Sequence, residues 1–178
     1  MYSKQCLFVS AALILTSLLG VSTANAQNQP LCYSISSLQG SYAVIGNYGA
    51  NVAIALATRS LDANGNLTGT FTVNSPTAGS TTGERTIVTG KQAGTVAVNC
   101  NGTGVITRVI TLADGTKASQ LDDFVITGAI VRRGQLVVTS IVDAVRTPSI
   151  IVPGGIFLSR IWTRLPDESD VLLEAVPR

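Results

Sequence analysis

Residues 51–73 read NVAIALATRSLDANGNLTGTFTV, a stretch in which side chains alternate with the period of a β-strand. In its first half, branched residues fall on one face and alanines on the other (Val52, Ile54 and Leu56 against Ala53, Ala55 and Ala57). In its second half, we expect an inward face for Leu67, Gly69, Phe71 and Val73, with the intervening threonines outward. The sequence DANGN at 62–66 is a turn that tolerates positive φ. A β-hairpin over 51–73 follows, and its alanine face leaves room for another group to approach closely.

The rest of the chain repeats this pattern on both sides of the hairpin. Further strands are predicted at 41–46, 85–90, 94–100, 104–112, 124–131, 135–142 and 155–165, with a polar loop at 74–84. A second hairpin turns at Arg132-Arg133-Gly134, where the arginines are expected to keep the tip in water. No long segment has the period of a crossover helix, which disfavours parallel pairing. The sequence therefore predicts an all-β fold, an antiparallel barrel of about eight strands, with a β-sandwich as the alternative.

The amino-acid composition indicates which partners the outer surface of this barrel could have. Hydrophobic residues make up 46% of the chain and charged residues only 12%, with a formal net charge of +2. The charged fraction is about half the roughly 25% usual in soluble domains. Apolar side chains also occupy both faces of some strands, as where Leu136 and Val138 lie opposite Val137 and Ile141. We therefore expect part of the outside to be covered by another copy of the chain, and without a basic stripe we expect no nucleic-acid partner.

The N-terminal residues have the order of a secretory signal peptide. Lys4 precedes an apolar run over 7–19, and the small residues Ala24 and Ala26 stand where cleavage would occur. We expect a signal peptide at 1–26, a single barrel domain at 27–178, and a secreted or periplasmic location. The tail at 166–178 is predicted to fray or to form one helical turn over 167–175.

Membrane insertion is the alternative interpretation of this chain. The apolar run at 7–19 is shorter than the roughly 20 residues that span a bilayer, and no later segment is long enough, so we expect no membrane span in the mature chain. An eight-stranded outer-membrane barrel would fit the length. However, too few aromatic residues follow the signal peptide to form two girdles (Tyr33, Tyr42, Tyr48, Phe71, Phe124, Phe157 and Trp162).

Two cysteines, Cys32 and Cys100, follow the signal peptide. In an exported chain they are most simply one disulfide, which would tie the N-terminal segment to the middle of the domain. The chain-entropy model gives roughly 4 kcal/mol of stabilisation for such a loop. A reactive thiol or a metal pair is the alternative, but no histidine is present to complete either site.

The absence of histidine excludes Ser-His-Asp and Cys-His catalysis and histidine-based metal sites, so we expect no catalytic residue, cofactor or metal. Asp122 and Asp123 would point to opposite faces of a strand, and a turn at the start of a strand with both carboxylates in water is preferred. Carboxylates from different strands, Asp143, Glu84 and Asp114, could still meet for acid–base work.

The turn at Asp62 deserves comparison with a calcium loop, since Asp62, Asn64 and Asn66 alternate as ligands would. The glycine of this segment, Gly65, stands at the fourth position rather than the sixth, and Val73 stands where the twelfth position needs a glutamate. We therefore expect a simple hairpin turn.

Three segments together resemble a known group of proteins. They are LQGSY at 38–42, LDANGNLTGT at 61–70 and GTVAVNCNGTG at 94–104. In this order they are similar to small exported bacterial proteins of uncharacterised function, grouped loosely with the allene oxide cyclase and dirigent β-barrels. Ala63 and Val96 depart from that pattern, which has glycine and an aromatic residue there. The resemblance implies an eight-stranded, often oligomeric antiparallel barrel, and it transfers no catalytic residue.

These observations favour a secreted or periplasmic, non-catalytic barrel module that either binds a small apolar ligand or simply forms a stable surface or periplasmic module. The alternatives are a cyclase-type enzyme and a self-assembling structural or adhesive surface protein. A cavity lined by polar residues such as Asp143, Arg108 or Tyr42 would favour the first two functions. A filled barrel with an apolar exterior would favour the third.

Overall fold

The computed structural model describes residues 32–47, 54–77, 79–149 and 158–167. These contain one short helix, α1 (Ile35–Leu38), and eight strands: β1 (Gly40–Asn47), β2 (Ile54–Leu61), β3 (Asn66–Pro76), β4 (Arg85–Val98), β5 (Thr103–Leu112), β6 (Lys117–Arg132), β7 (Gln135–Val145) and β8 (Ser159–Arg164). The expected signal peptide at 1–26 lies outside the described residues, and so does the helical turn expected at 167–175 except for Asp167.

The eight strands close into a barrel in chain order. Each strand pairs antiparallel with the next, and β8 closes the barrel by pairing with β1. The predicted antiparallel barrel is confirmed, and the β-sandwich is excluded. The turn at Asp62 is also confirmed, because the Asp62 carboxylate accepts the backbone N–H groups of Asn64 and Asn66, both at 2.8 Å.

Among the predicted strand boundaries that differ from the structure, two concern the interior of the barrel. The strands expected at 85–90 and 94–100 are one continuous strand, β4, in which Gly90 and Gly94 face inward instead of interrupting it. Strand β6 begins at Lys117 rather than near Phe124, so Asp122 lies within a strand. A side chain at Gly90 would meet the Phe71 ring and the backbone of β5, and a side chain at Gly94 would meet the backbone of β5 at Thr107 and Arg108.

Inward glycines recur at five positions, and each pairs across the ladder with a large inward side chain. The pairs are Gly46 with Arg160, Gly69 with Arg59, Gly90 with Phe71, Gly94 with Arg108 and Gly104 with Phe124. A Cβ atom added at any of these glycines would come within 3.1 Å of the facing strand or its side chain. The barrel is therefore too narrow for two full side chains at these positions, and the glycines admit three arginines to its interior.

Helix α1 contributes to the core at its last residue. Leu38 is fully buried, and its carbonyl oxygen accepts the Tyr42 hydroxyl at 2.8 Å. The segment before α1 is joined to the β4–β5 turn by the predicted disulfide, since Cys32 and Cys100 are bonded with their Cα atoms 4.5 Å apart. The backbone N–H of Tyr33 also donates to the carbonyl of Cys100 at 3.2 Å. Two independent contacts thus fix the N-terminal segment to the barrel.

The interior contains two apolar clusters with a polar layer between them. The larger cluster includes Leu38, Leu61, Ile106, Ile141 and Trp162, among others. The smaller cluster consists of Ala55, Phe71, Val73, Ile110, Val145 and Leu158. On four strands, a charged inward residue stands between a member of one cluster and a member of the other (Arg59, Arg108, Asp143 and Arg160). The charged layer therefore crosses the barrel between the two apolar clusters.

The fit of large side chains against inward glycines can be tested at Gly104. Replacing it by alanine would place a methyl group into the Phe124 ring and against the carbonyl oxygen of Ala97. We expect Gly104→Ala to lower the free energy of unfolding by about 1–3 kcal/mol, as overpacking does, measured by urea denaturation. Thr107→Ser, on the outer face of the same strand, should change it by about 0.5 kcal/mol or less. Equal stability of Gly104→Ala and the wild type would contradict this account.

Candidate functional site

The polar layer is formed by seven side chains that are almost completely buried. They are Arg59, Gln92, Arg108, Gln120, Asp122, Asp143 and Arg160. They come from β2, β4, β5, β6, β7 and β8, so the network joins strands on all sides of the barrel. Each lies at an inward position of the alternating ladder, because the barrel register fixes every second residue inside.

Asp143 is the acceptor for three donors. Its carboxylate oxygens accept Arg160 Nε at 2.6 Å, Trp162 Nε1 at 2.7 Å and Arg59 Nη1 at 2.9 Å. The Arg59 guanidinium also lies over the Trp162 ring, 4.2 Å from its centroid. Charge-assisted hydrogen bonds and a cation–π contact thus hold Arg59 in one orientation.

Asp122 forms the second acidic centre. Its Oδ2 accepts Arg108 Nε at 2.7 Å, and its Oδ1 lies 2.8 Å from Arg160 Nη2 in an ion pair that lacks the alignment of a hydrogen bond. Arg160 therefore bridges the two aspartates. Burial opposes ionisation of Asp122, but Arg160 and Arg108 outweigh it and hold the pKa of this carboxyl below its usual value.

Two glutamines connect the remaining donors. Gln92 Oε1 accepts both Arg59 Nε at 3.1 Å and Arg108 Nη1 at 2.9 Å, and Gln120 Oε1 accepts Arg108 Nη2 at 2.5 Å. Three buried polar atoms make no hydrogen bond among the described residues: Gln120 Nε2, Asp122 Oδ1 and Arg160 Nη2. Because the last two lie 2.8 Å apart as an ion pair, Gln120 Nε2 is the one of the three that has neither a hydrogen bond nor a charged partner.

Three guanidinium groups so close together disturb one another. Desolvation and the neighbouring charges of Arg160 and Arg108 hold the pKa of Arg59 well below its usual value. Burial, followed by repulsion from Arg160, also lowers the pKa of Arg108. Burial likewise disfavours the charge of Arg160, but Asp143 and Asp122 outweigh it and raise its pKa. Arg160 is accordingly the best compensated of the three and Arg59 the least.

A small cavity adjoins this network. Its free space is about 20 Å³, room for roughly one water molecule, and all three arginines line it. Ala55 and Ala57 form part of its wall, so the alanine face of β2 does leave space, as expected from the sequence. The remaining lining is largely apolar and includes Val44, Phe71 and Val73.

The candidate residues named from the sequence separate into two groups. Asp143, Arg108 and Tyr42 are buried in the barrel, and the first two belong to the network. Glu84 and Asp114 are exposed, and Asp114 accepts the N–H of Thr116 in a turn. The structure therefore does not bring these two carboxylates to Asp143.

The interpretation of Asp122 and Asp123 as two solvated carboxylates is half wrong. They point to opposite faces as expected, and Asp123 pairs with Arg146 on the surface. Asp122, however, is fully buried because β6 begins five residues before it.

Arg59 and Arg160 are network members that sequence reasoning missed. Their signal is an arginine at an inward position between apolar residues, which is recognisable only once the register is known.

The arrangement offers little for catalysis among the described residues. Asp122 is held ionised by two guanidinium groups, which makes it a weak general base. Within the described ranges, no three His, Cys, Asp or Glu side chains lie together as a metal site would require. No helix in those ranges is long and apolar enough to cross a membrane.

The outer face carries a second feature, which we call the apolar row. Five outward side chains on neighbouring strands are direct cross-strand partners: Leu56, Ile45, Ile161, Val142 and Val125. Four of them are strongly exposed, between 43% and 61%. The described outward positions of β8, β1 and β2 hold no charged side chain. An uncharged apolar surface of this kind is typical of an interaction face.

Comparisons with protein-family models, with curated proteins and with solved structures find no significant match.

Adjacent aspartates provide a matched test of the buried network. Asp122→Asn removes the charge that compensates Arg108 and Arg160, and we expect it to lower the free energy of unfolding by about 3–5 kcal/mol in urea denaturation. Asp123→Asn removes an exposed partner of Arg146 and should cost about 1 kcal/mol or less. Equal losses in the free energy of unfolding from the two substitutions would show that the buried ion pairs matter no more to stability than the exposed one.

The contribution of Asp122 to stability is expected to depend on pH. Because the pKa of folded Asp122 lies below its unfolded value of about 3.9, its contribution is complete above that pH and is lost as the pH falls through the folded pKa. The difference in unfolding free energy between the wild type and Asp122→Asn should therefore shrink on acidification. A difference that stays constant over the acid range would contradict this assignment.

Proposed function

We propose that this chain is an exported, non-catalytic β-barrel module that assembles with further copies of itself through the apolar row. The observation that carries the proposal is the unbroken register of this row across five strands, from Leu56 on β2 to Val125 on β6. Export is supported by the Cys32–Cys100 disulfide, which is typical of oxidising compartments outside the cytoplasm. A structural or adhesive role follows from assembly of a rigid, closed barrel.

The second copy is favoured as the occupant of this face because of its charge pattern. A homodimeric interface meets its own surface, so any like charges on it would face one another and repel. The described outward residues of β8, β1 and β2 avoid this, whereas charge is present on β4 at Arg85 and Lys91, and at the β6 end of the row at Asp123, two residues from Val125. Removal of the row from water would stabilise association at about 25 cal/mol per Å² of apolar surface.

The interior gives less support to the other two functions. Both a small apolar ligand and a cyclase-type substrate need a cavity of a few hundred Å³, and the space beside the arginines is about 20 Å³. The remaining interior is filled by the two apolar clusters and the ion-pair network. The resemblance to exported barrels, which implies an often oligomeric state, agrees with the proposed assembly.

The proposal is tested by placing a charge in the middle of the row. Ile45, which is 51% exposed, pairs with both Leu56 and Ile161. We expect the wild type to be oligomeric in light scattering coupled to gel filtration, and Ile45→Glu to be a monomer, because burial of an unpaired carboxylate strongly opposes association.

Val109→Glu is the matched control. Like Ile45, Val109 is an exposed β-branched residue on the outer face of a strand, but its cross-strand partners, Ala93 and Ser119, lie outside the row. It should keep the wild-type oligomeric state, and circular dichroism should show that both variants fold. A wild type that is monomeric at every concentration, or an Ile45→Glu variant that remains oligomeric, would refute the assembly.

A further inference from the structure

The charges inside the barrel do not balance. Among the described buried residues, three arginines (Arg59, Arg108 and Arg160) face two aspartates (Asp122 and Asp143), which leaves one positive charge in excess. The other polar members of the layer, Gln92 and Gln120, are neutral amides. A guanidinium group is not deprotonated in proteins, so the excess charge persists at every accessible pH.

An uncompensated charge in this position is unfavourable. All five ionised groups are at most 7% exposed, and apolar clusters lie on both sides of the layer. A buried charge without a counter-charge costs several kcal/mol, and proteins normally avoid it by pairing. The strongly lowered pKa of Arg59 expresses the same imbalance, since desolvation and two neighbouring arginines act on it together.

The geometry provides a place for the missing negative charge. The cavity beside the network is lined by all three arginines, and Arg160 Nη2, although it lies 2.8 Å from Asp122 Oδ1, makes no hydrogen bond there. The one side-chain acceptor among the lining residues, Gln92 Oε1, already accepts hydrogen bonds from Arg59 and Arg108. Small inward residues, Gly46, Ala55 and Ala57, leave the space open. A ligand there would meet donors and apolar walls, which is the environment that suits an anion.

We propose that this cavity binds one monovalent anion, of the size of a halide ion or a single carboxylate group, between Arg59, Arg108 and Arg160. A neutral water molecule would fit the volume of about 20 Å³ but would leave the excess charge uncompensated. The small space excludes bulky anions. The site is independent of assembly through the outer face.

Thermal unfolding of the wild-type protein tests the site directly. Sodium chloride, sodium bromide and sodium formate are compared with sodium isethionate, a bulky monovalent anion, at the same ionic strength. Because a ligand that binds only the folded state raises its stability by mass action, we expect a saturable rise of several degrees in Tm with a small anion and none with isethionate. A larger rise with halides indicates a free inorganic ion, and a larger rise with formate indicates the carboxylate group of an organic ligand.

Charge-balancing variants connect the effect to the cavity. Arg59→Met leaves two arginines with two aspartates, and Asp143 keeps Arg160 and Trp162 as donors. We expect its Tm to lose the dependence on small anions. Arg146→Met removes a surface arginine paired with Asp123 and should retain the wild-type dependence. Should Arg59→Met fail to fold, Ala57→Asp supplies a carboxylate on the cavity wall and should also abolish the dependence.

Crystals of the wild type soaked in bromide give a measurement that needs no variant. The anomalous signal of bromine should appear inside the barrel, within contact distance of the three guanidinium groups. The proposal is overturned if the wild type responds equally to isethionate and small anions, if Arg59→Met keeps the small-anion effect, or if bromide and formate are both absent from the cavity in soaked crystals.

Discussion

Arg160 joins the two buried aspartates, and the rest of the barrel is arranged around this bridge. Its Nε donates to Asp143 at 2.6 Å and its Nη2 lies 2.8 Å from Asp122, while the aspartates in turn hold Arg59 and Arg108. Such buried pairs add little net stability when complete, but a broken pair leaves a charge without compensation. A slip of one residue in β8 would turn Arg160 outward and Ile161 inward, so the network selects a single register for the closed barrel.

Space for this network comes from the glycines on the neighbouring strands. Each of the three arginines faces a glycine across the ladder, and two further glycines face Phe71 and Phe124. An eight-stranded barrel is just wide enough for its interior to be filled by side chains, so a large residue on one strand requires a small one opposite. The narrow interior explains why the cavity beside the arginines is small, about 20 Å³.

The hairpin at 54–73 and the number of strands could be predicted because alternation and turn chemistry are local properties. Asp143 and Arg108 could be named as interior candidates on the same grounds. The burial of Asp122 could not, since Lys117 to Leu121 lack strong apolar alternation and β6 is extended by its pairing with β5. Arg59 and Arg160 were missed because a charged residue in a strand is normally outward, and only the pairing with Gly69 and Gly46 shows that these two have room inside.

The polar interior and the apolar row are two results of one alternation. On β7 and β8, Asp143 and Arg160 point inward, so their neighbours Val142 and Ile161 must point outward, and Ile45 on β1 continues the outer row beside the inward Gly46. The outward positions beside these inward charges are not all apolar, because Ser159 and Thr163 flank Ile161 on β8, but none of those on β8 is charged. Covering that surface by a second copy would remove water from the outer side of the wall that carries the ion pairs, and a lower local dielectric strengthens such pairs. The proposed assembly on the outside and the proposed charge compensation inside would therefore act on the same strands.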